Sequence, residues 1–211
     1  MIVYIHICQK GEWKRSFNMI LDKIKESKLY DNIDEIRCGI VNDIGEIILE
    51  DILLDPKIKI IHVGYSHEYE RPTLLHMRNS IKNDKPYTKY LYCHTKGIRW
   101  FGTNREKNVL DWIYLLIFWN IEHWKDAVLA LDTYDTYGCN FYKNDNINPD
   151  HYSGNFFWVS SEHLKKLNNT IGPKYNDPEF WLFNTSSYNY YEIYNSKINH
   201  YELPYPSYLY K

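Results

Sequence analysis

Along the chain, short β-rich runs alternate with longer stretches in which apolar residues recur every three or four positions, and this alternation predicts an α/β architecture. Ile2-Val3-Tyr4-Ile5-His6-Ile7-Cys8 reads as a first strand, and after Gly11 the positions Trp13, Phe17, Ile20, Leu21 and Ile24 fall at helical spacing. A second strand is expected over Glu35–Asn42, and a third, Ile58-Lys59-Ile60-Ile61-His62-Val63, follows the break at Pro56. Pro72 opens a helix through Leu74, Leu75, Met77 and Ile81 that stops at Asp84-Lys85-Pro86, and a fourth strand runs over Lys89–His94. One long amphipathic helix is expected over about 104–131, then strands over 136–142 and 155–160, a short helix from Glu162 and another over 178–183. The order predicts an α/β fold with a mostly parallel, Rossmann-like central sheet, right-handed crossovers and flanking helices, in one domain spanning 1–211.

Composition narrows the partners. With 25 Lys+Arg against 27 Asp+Glu the formal net charge is -2, so no basic face or tail is expected and nucleic acid is not the expected partner. Aromatic residues make up 17% of the chain, with 21 Tyr and 7 Trp, and amphipathic rings suit the faces of sugars and bases. Cys8, Cys38, Cys93 and Cys139 form no C-x-x-C pair and sit in apolar runs, which predicts buried free thiols in a reducing, cytoplasmic compartment. No segment is apolar enough to span a bilayer, and the run to Cys8 is too short for a signal peptide.

In an open parallel sheet, ligands bind beyond the carboxyl ends of the strands. The loop after the first strand and the ends of the second and fourth bring Gln9, Asn42, Asp43, His94, Thr95 and Lys96 toward one crevice. An Asn or Asp there can accept the imino proton of a uracil, and a basic side chain can face a diphosphate; the alternative for Asp43 is a turn residue before Gly45. Arg78, late in the third-strand-to-fourth-strand helix, has a fork suited to phosphate oxygens. His94-Thr95-Lys96-Gly97 places a metal-binding imidazole, a hydroxyl, a cation and a flexible backbone at one strand end.

Five segments carry a family resemblance: Tyr92-Cys93-His94-Thr95-Lys96-Gly97, the helix from Asp111-Trp112 to Trp124, Tyr134-Asp135-Thr136-Tyr137-Gly138-Cys139-Asn140, Ser153-Gly154-Asn155-Phe156-Phe157-Trp158, and Glu179-Phe180-Trp181-Leu182. Over nearly the whole chain they resemble small GT-A-fold glycosyltransferases of bacterial surface-polysaccharide clusters and large DNA viruses, including the chlorella-virus type that glycosylates capsid protein. The resemblance implies a nucleotide-sugar donor and a glycan or glycoprotein acceptor. It implies that Ser153, Gly154, Asn155 and Trp158 line the sugar and acceptor pocket, and that a carboxylate near the 176–181 segment acts as general base, Glu179 first and Asp177 second. GT-A enzymes commonly hold Mn²⁺ or Mg²⁺ with Asp-x-Asp at the end of the fourth strand, where this chain has His94-Thr95-Lys96. Either His94 helps hold the metal with a carboxylate from elsewhere, or Lys96 supplies the cation. Asp177 also has a structural explanation, as the cap of a helix with Pro178 at its first position. A carbohydrate-binding module on the same fold, without catalysis, is the rival reading.

Overall fold

Val3, Ile5 and Ile7 alternate with Ile2, Tyr4 and His6 along β1 (Ile2–Cys8), and both sets are buried, so this strand is covered on two sides. The computed structural model describes residues 1–46 and 55–211. After β1 come α1 (Trp13–Glu26), α2 (Leu29–Asn32), β2 (Glu35–Asn42), β3 (Ile58–Tyr65), α3 (Arg71–Ser80) and β4 (Lys89–His94). The chain continues through α4 (Glu106–Ile117), α5 (Trp124–Ala130), β5 (Thr136–Cys139), β6 (Phe141–Tyr142), β7 (His151–Tyr152), β8 (Phe157–Ser160), α6 (Ser161–Lys166), α7 (Asp177–Phe180) and β9 (Tyr190–Tyr194).

The central sheet has seven strands in the order β3-β2-β1-β4-β8-β5-β9. β1 to β4 run parallel to one another, β8 inserts antiparallel between β4 and β5, and β9 adds parallel to β5. The fold is therefore a single-domain, Rossmann-like α/β fold with a mostly parallel sheet, as the alternation of patterns predicts. The odd residues of β1 pack with Phe17 and Ile20 of α1 and Ile113 and Leu116 of α4. Ile2 and Tyr4 face the other way and pack with Leu74 and Met77 of α3 and Leu164 of α6.

Two expected elements are broken. The long helix is interrupted by a π-helical turn at Phe118–Glu122, where the His123 amide donates to the Phe118 carbonyl at 3.1 Å. Asn120 causes the competition: its buried amide donates to the Leu116 carbonyl at 2.9 Å, while its own carbonyl accepts from the Trp158 indole at 2.7 Å. The expected 136–142 strand divides at Asn140, whose φ of +54° turns the chain from β5 into a separate two-stranded sheet of β6 and β7. The pattern also missed β9, because all five residues Tyr190–Tyr194 are only partly buried or exposed and show no clean alternation.

At the amino ends of the strands lies a dense charged knot. The Arg37 guanidinium donates to Glu35 at 2.5 Å, to both Asp84 oxygens at 2.9 and 2.5 Å, and to the hydroxyls of Tyr4 and Ser80 at 2.7 and 2.9 Å. Every face of this half-buried cation is matched, which ties β2 to the turn before β4.

Candidate functional site

The connection from β1 through α1 leads to β2 on one side, whereas that from β3 through α3 leads back to β4 on the other, so the winding reverses between β1 and β4. Their carboxyl ends splay apart there, and ligands bind at such switch points. The register His6↔His94 is the last pair. Beyond it opens a cavity of about 600 Å³, with His6, Cys8, His94, Thr95 and Lys96 along its base.

The floor is a polar network. Glu70, directly before α3, accepts at Oε2 from the Tyr92 hydroxyl at 2.5 Å and from the Asn155 amide at 2.6 Å. Its Oε1 lies 3.9 Å from His94 Nδ1. His94 Nε2 lies 3.1 Å from the Gly154 carbonyl, which can only accept, so Nε2 carries the proton and Nδ1 is bare in the neutral ring. Burial first, and the Lys96 charge second, hold the His94 imidazole down to about 4, so the ring is neutral at pH 7. Burial also pushes His6 to about 4 while its Nδ1 bonds the Thr73 hydroxyl at 2.9 Å.

Lys96 is the unusual charge. The residue is 6% exposed, and its ammonium sits 3.8 Å from the Trp112 ring centroid. Among the described residues it makes no ion pair. Burial lowers its pKa, with Glu179 and Glu70 opposing that shift. The other face of the story is His200, whose ring stacks on Trp112 at 5.2 Å and 9° and is held at about 4 by burial and then by Lys96. The rim adds Lys10, Arg99 and Glu179 together with Tyr69, Trp100, Tyr175 and Tyr201. Tyr69 holds a left-handed backbone (φ +52°), uncommon for so bulky a residue, and meets Tyr175 edge-on at 5.1 Å. Arg71 clamps the loop carrying Tyr175 by donating to the carbonyls of Gly172 and Lys174, each at 2.7 Å.

Of the residues singled out from sequence, His94, Thr95, Lys96 and Glu179 line this cavity. Thr95 does so with its hydroxyl already accepting from the Cys8 amide at 2.9 Å, which pins the ends of β1 and β4 together. Asn155 joins the floor through Glu70, and its φ of +53° suits an Asn in a tight turn. Gly154 contributes its carbonyl to His94 but packs against Leu116 and Trp112. Ser153 lies one residue further back, its amide on the Asn140 carbonyl.

The remaining residues are placed elsewhere, each for a local reason. Asn42 is turned into its own turn, donating to Gln9 at 3.1 Å and to the Glu46 carbonyl and accepting from the amides of Ile44 and Gly45. Gln9 is thereby held beside Asn42 and, like it, does not line the cavity. Asp43 is exposed and bridges Lys10 at 2.7 Å and Ser66 at 2.6 Å, so it acts on the rim through its partners. Arg78 is at the wrong end: α3 runs from the carboxyl end of β3 to the amino end of β4, and the seven residues from Arg71 carry it about 10 Å along the helix. There it donates to the Leu167 carbonyl at 2.7 Å. Trp158 is fully buried in β8 with its indole on the Asn120 carbonyl, which leaves no ring face for a sugar. Asp177 accepts from the Lys174 amide at 2.7 Å and caps the preceding turn rather than entering the cavity.

Glu70 was not singled out from sequence. The available signal was an acidic residue in the loop after the third strand, directly before an Arg-Pro helix start. Lys10, in a Lys-Gly turn after the first strand, was equally legible. Tyr69, Tyr175 and Tyr201 were not, because 21 tyrosines give no contrast.

Among the described residues the donor set does not build a protein-held metal site, since no three His, Cys, Asp or Glu side chains converge. His94 and Glu70 are the nearest pair, with one nitrogen and one oxygen of theirs already in hydrogen bonds.

No protein-family model matches the chain, and no curated protein matches it. Among solved structures it is similar to 4-diphosphocytidyl-2C-methyl-D-erythritol synthase from Anaerococcus prevotii, at 13% identity and a TM-score of 0.48, over 93% of this chain and 89% of that one. At that distance the similarity is one of outline and carries nothing about activity. No helix of the described residues is long and apolar enough to cross a membrane.

Proposed function

We propose that the chain is a glycosyltransferase that binds a nucleoside diphosphate sugar, with a UDP-sugar the first candidate, and moves the sugar to a hydroxyl of a glycan or glycoprotein acceptor. The observation that carries this reading is the buried Lys96 ammonium, supported by an aromatic face instead of a carboxylate, in a cavity at the switch point of the sheet. A buried cation left without an anion is costly, and a diphosphate supplies the missing charge.

In this mechanism Glu179 takes the proton of the acceptor hydroxyl, and the oxygen bonds to the anomeric carbon. The bond from that carbon to the diphosphate breaks, its electron pair leaving with the diphosphate, where Lys96, Arg99 and Lys10 offset the developing charge. This is a single displacement with inversion. Glu70, Asn155 and neutral His94 offer acceptors and an amide to the sugar hydroxyls. Charge neutralisation is assigned to Lys96, since among the described residues no three His, Cys, Asp or Glu side chains converge on a metal site.

Calorimetric titration with UDP, GDP and CMP, each with and without Mn²⁺, tests the reading. Binding of one nucleotide, undiminished when the metal is removed, is the expected result. Binding only with Mn²⁺ would overturn the role given to Lys96. Absence of nucleotide binding under all conditions would overturn the transferase and leave a glycan-binding module, which the aromatic rim of Tyr69, Trp100, Tyr175 and Tyr201 favours.

A further inference from the structure

A second cavity, of about 630 Å³, lies at the opposite end of the central strands, between the end of α3, the 81–88 turn and the start of α6. Its volume is within the range of small-ligand sites. Four cations line it, Arg78, Lys82, Lys85 and Lys165, against the single carboxylate of Asp84. That carboxylate is already committed to Arg37, to the Tyr90 hydroxyl at 2.9 Å and to the Ser80 hydroxyl at 3.0 Å. Lys85 pairs with Asp34 at 2.6 Å and Lys165 with Glu162 at 2.5 Å. Arg78 and Lys82 have no carboxylate partner among the described residues.

Arg78 is held in place by its Nε on the Leu167 carbonyl, which leaves Nη2 without a protein acceptor among those residues. The Ser161 hydroxyl, on a residue only 3% exposed that lines the same cavity, has no hydrogen-bond partner among the described residues. Beside them Tyr87 is 80% exposed with φ of +60°, a strained backbone for a tyrosine. The turn beneath it is fixed by the Thr88 hydroxyl and amide, both donating to the Lys85 carbonyl at 2.7 and 3.3 Å.

We propose that this cavity binds an anionic saccharide unit: Arg78 and Lys82 take its carboxylate or phosphate, and the Tyr87 ring stacks on the sugar face. A bare anion would leave the exposed ring without a role, and a neutral sugar would leave the two cations without one. The inference goes beyond the reading of the first cavity and stands whichever reaction occurs there, because the two cavities share no lining residue.

The test is amide chemical-shift titration of the full chain with glucose 1-phosphate, a glucuronate-bearing disaccharide, inorganic phosphate and glucose. Glucose 1-phosphate or the uronate should shift amides over 79–88 and at Ser161, and whichever binds more tightly identifies a free sugar phosphate or an acidic glycan as the source. Lys82→Glu should weaken that binding about tenfold or more, the loss of one charge-assisted contact. Tyr87→Ala should weaken the saccharides severalfold and leave phosphate unaffected. Both positions are exposed, so thermal melting should be unchanged, and UDP binding at the first cavity serves as an internal control. Equal affinity for inorganic phosphate and glucose 1-phosphate with a silent Tyr87→Ala overturns the saccharide assignment. Absence of shifts over 79–88 with every ligand overturns the site.

Discussion

Arg37 and Lys96 are both cations drawn into the protein, at opposite ends of the same sheet, and the structure treats them in opposite ways. Arg37 is surrounded by two carboxylates and two hydroxyls, and its neighbours raise its pKa against the effect of burial, the largest influence on it. Lys96 rests on an indole, and burial wins, lowering its pKa. A buried charge that the chain answers from its own residues ties elements together, whereas one left unanswered is poised for something that arrives from outside.

The largest expected effect comes from breaking the answered charge. Arg37→Met leaves Asp84 buried beside tyrosine and serine hydroxyls only, and should cost about 3–5 kcal/mol in urea unfolding while leaving nucleotide affinity unchanged. A loss below about 1 kcal/mol would erase the contrast. Next, Lys96→Met removes an unpaired buried cation of similar length. Stability should hold or rise, and UDP affinity should fall by about tenfold or more, as for a lost hydrogen bond to a charged group. If the variant is destabilised while binding survives, Lys96 is structural.

Glu179→Gln tests the other charge of that cavity: turnover should drop by about 10²-fold or more, and nucleotide affinity should stay within about twofold. Unchanged turnover removes Glu179 from the reaction. The three buried histidines around the unanswered cation, His6, His94 and His200, each have their pKa depressed to about 4. Between that value and the unfolded value near 6.5 the unfolded chain binds more protons, so stability is full above pH 6.5 and is lost as pH falls toward 4. Each contributes up to about 1.4 kcal/mol per pH unit within that window. Urea unfolding from pH 7 to 4 should show this slope, and His200→Gln should reduce it; a flat profile would contradict burial as the cause. The smallest effect is expected at the exposed Lys10–Asp43 pair, where Asp43→Asn should change nucleotide affinity less than about fivefold.

The parallel half of the sheet was legible because β1, β2 and β4 carry dense buried apolar runs bounded by Gly, Pro or Asp, and local periodicity suffices there. Lys96 and His94 were legible for the same reason, since a strand end is a position along the sequence. Arg78 was misplaced because its position depends on how far along α3 it lies, two turns from the end that meets the crevice. Trp158 and Asn42 had side chains suited to a ligand and were taken by internal partners, Trp158 by Asn120, distant in sequence, and Asn42 by its own 44–46 turn together with Gln9. Glu70 is the converse. Its partners Tyr92, His94 and Asn155 lie 22, 24 and 85 residues away by sequence number, and only the fold gathers them. The π-helical turn in the middle of the long helix likewise follows from a tertiary bond to Trp158 that local pattern does not contain.

The reversed strand β8 has a consequence for synthesis. During translation β1 to β4 can pair as they emerge, but β5 has no place beside β4 until β8, some twenty residues later in the chain, is threaded between them. Glu179 and Tyr201 leave the ribosome later still. A nascent chain therefore carries the half-built crevice with Lys96 open to water, where its charge costs little, and encloses that charge only when the last quarter of the polypeptide closes over it.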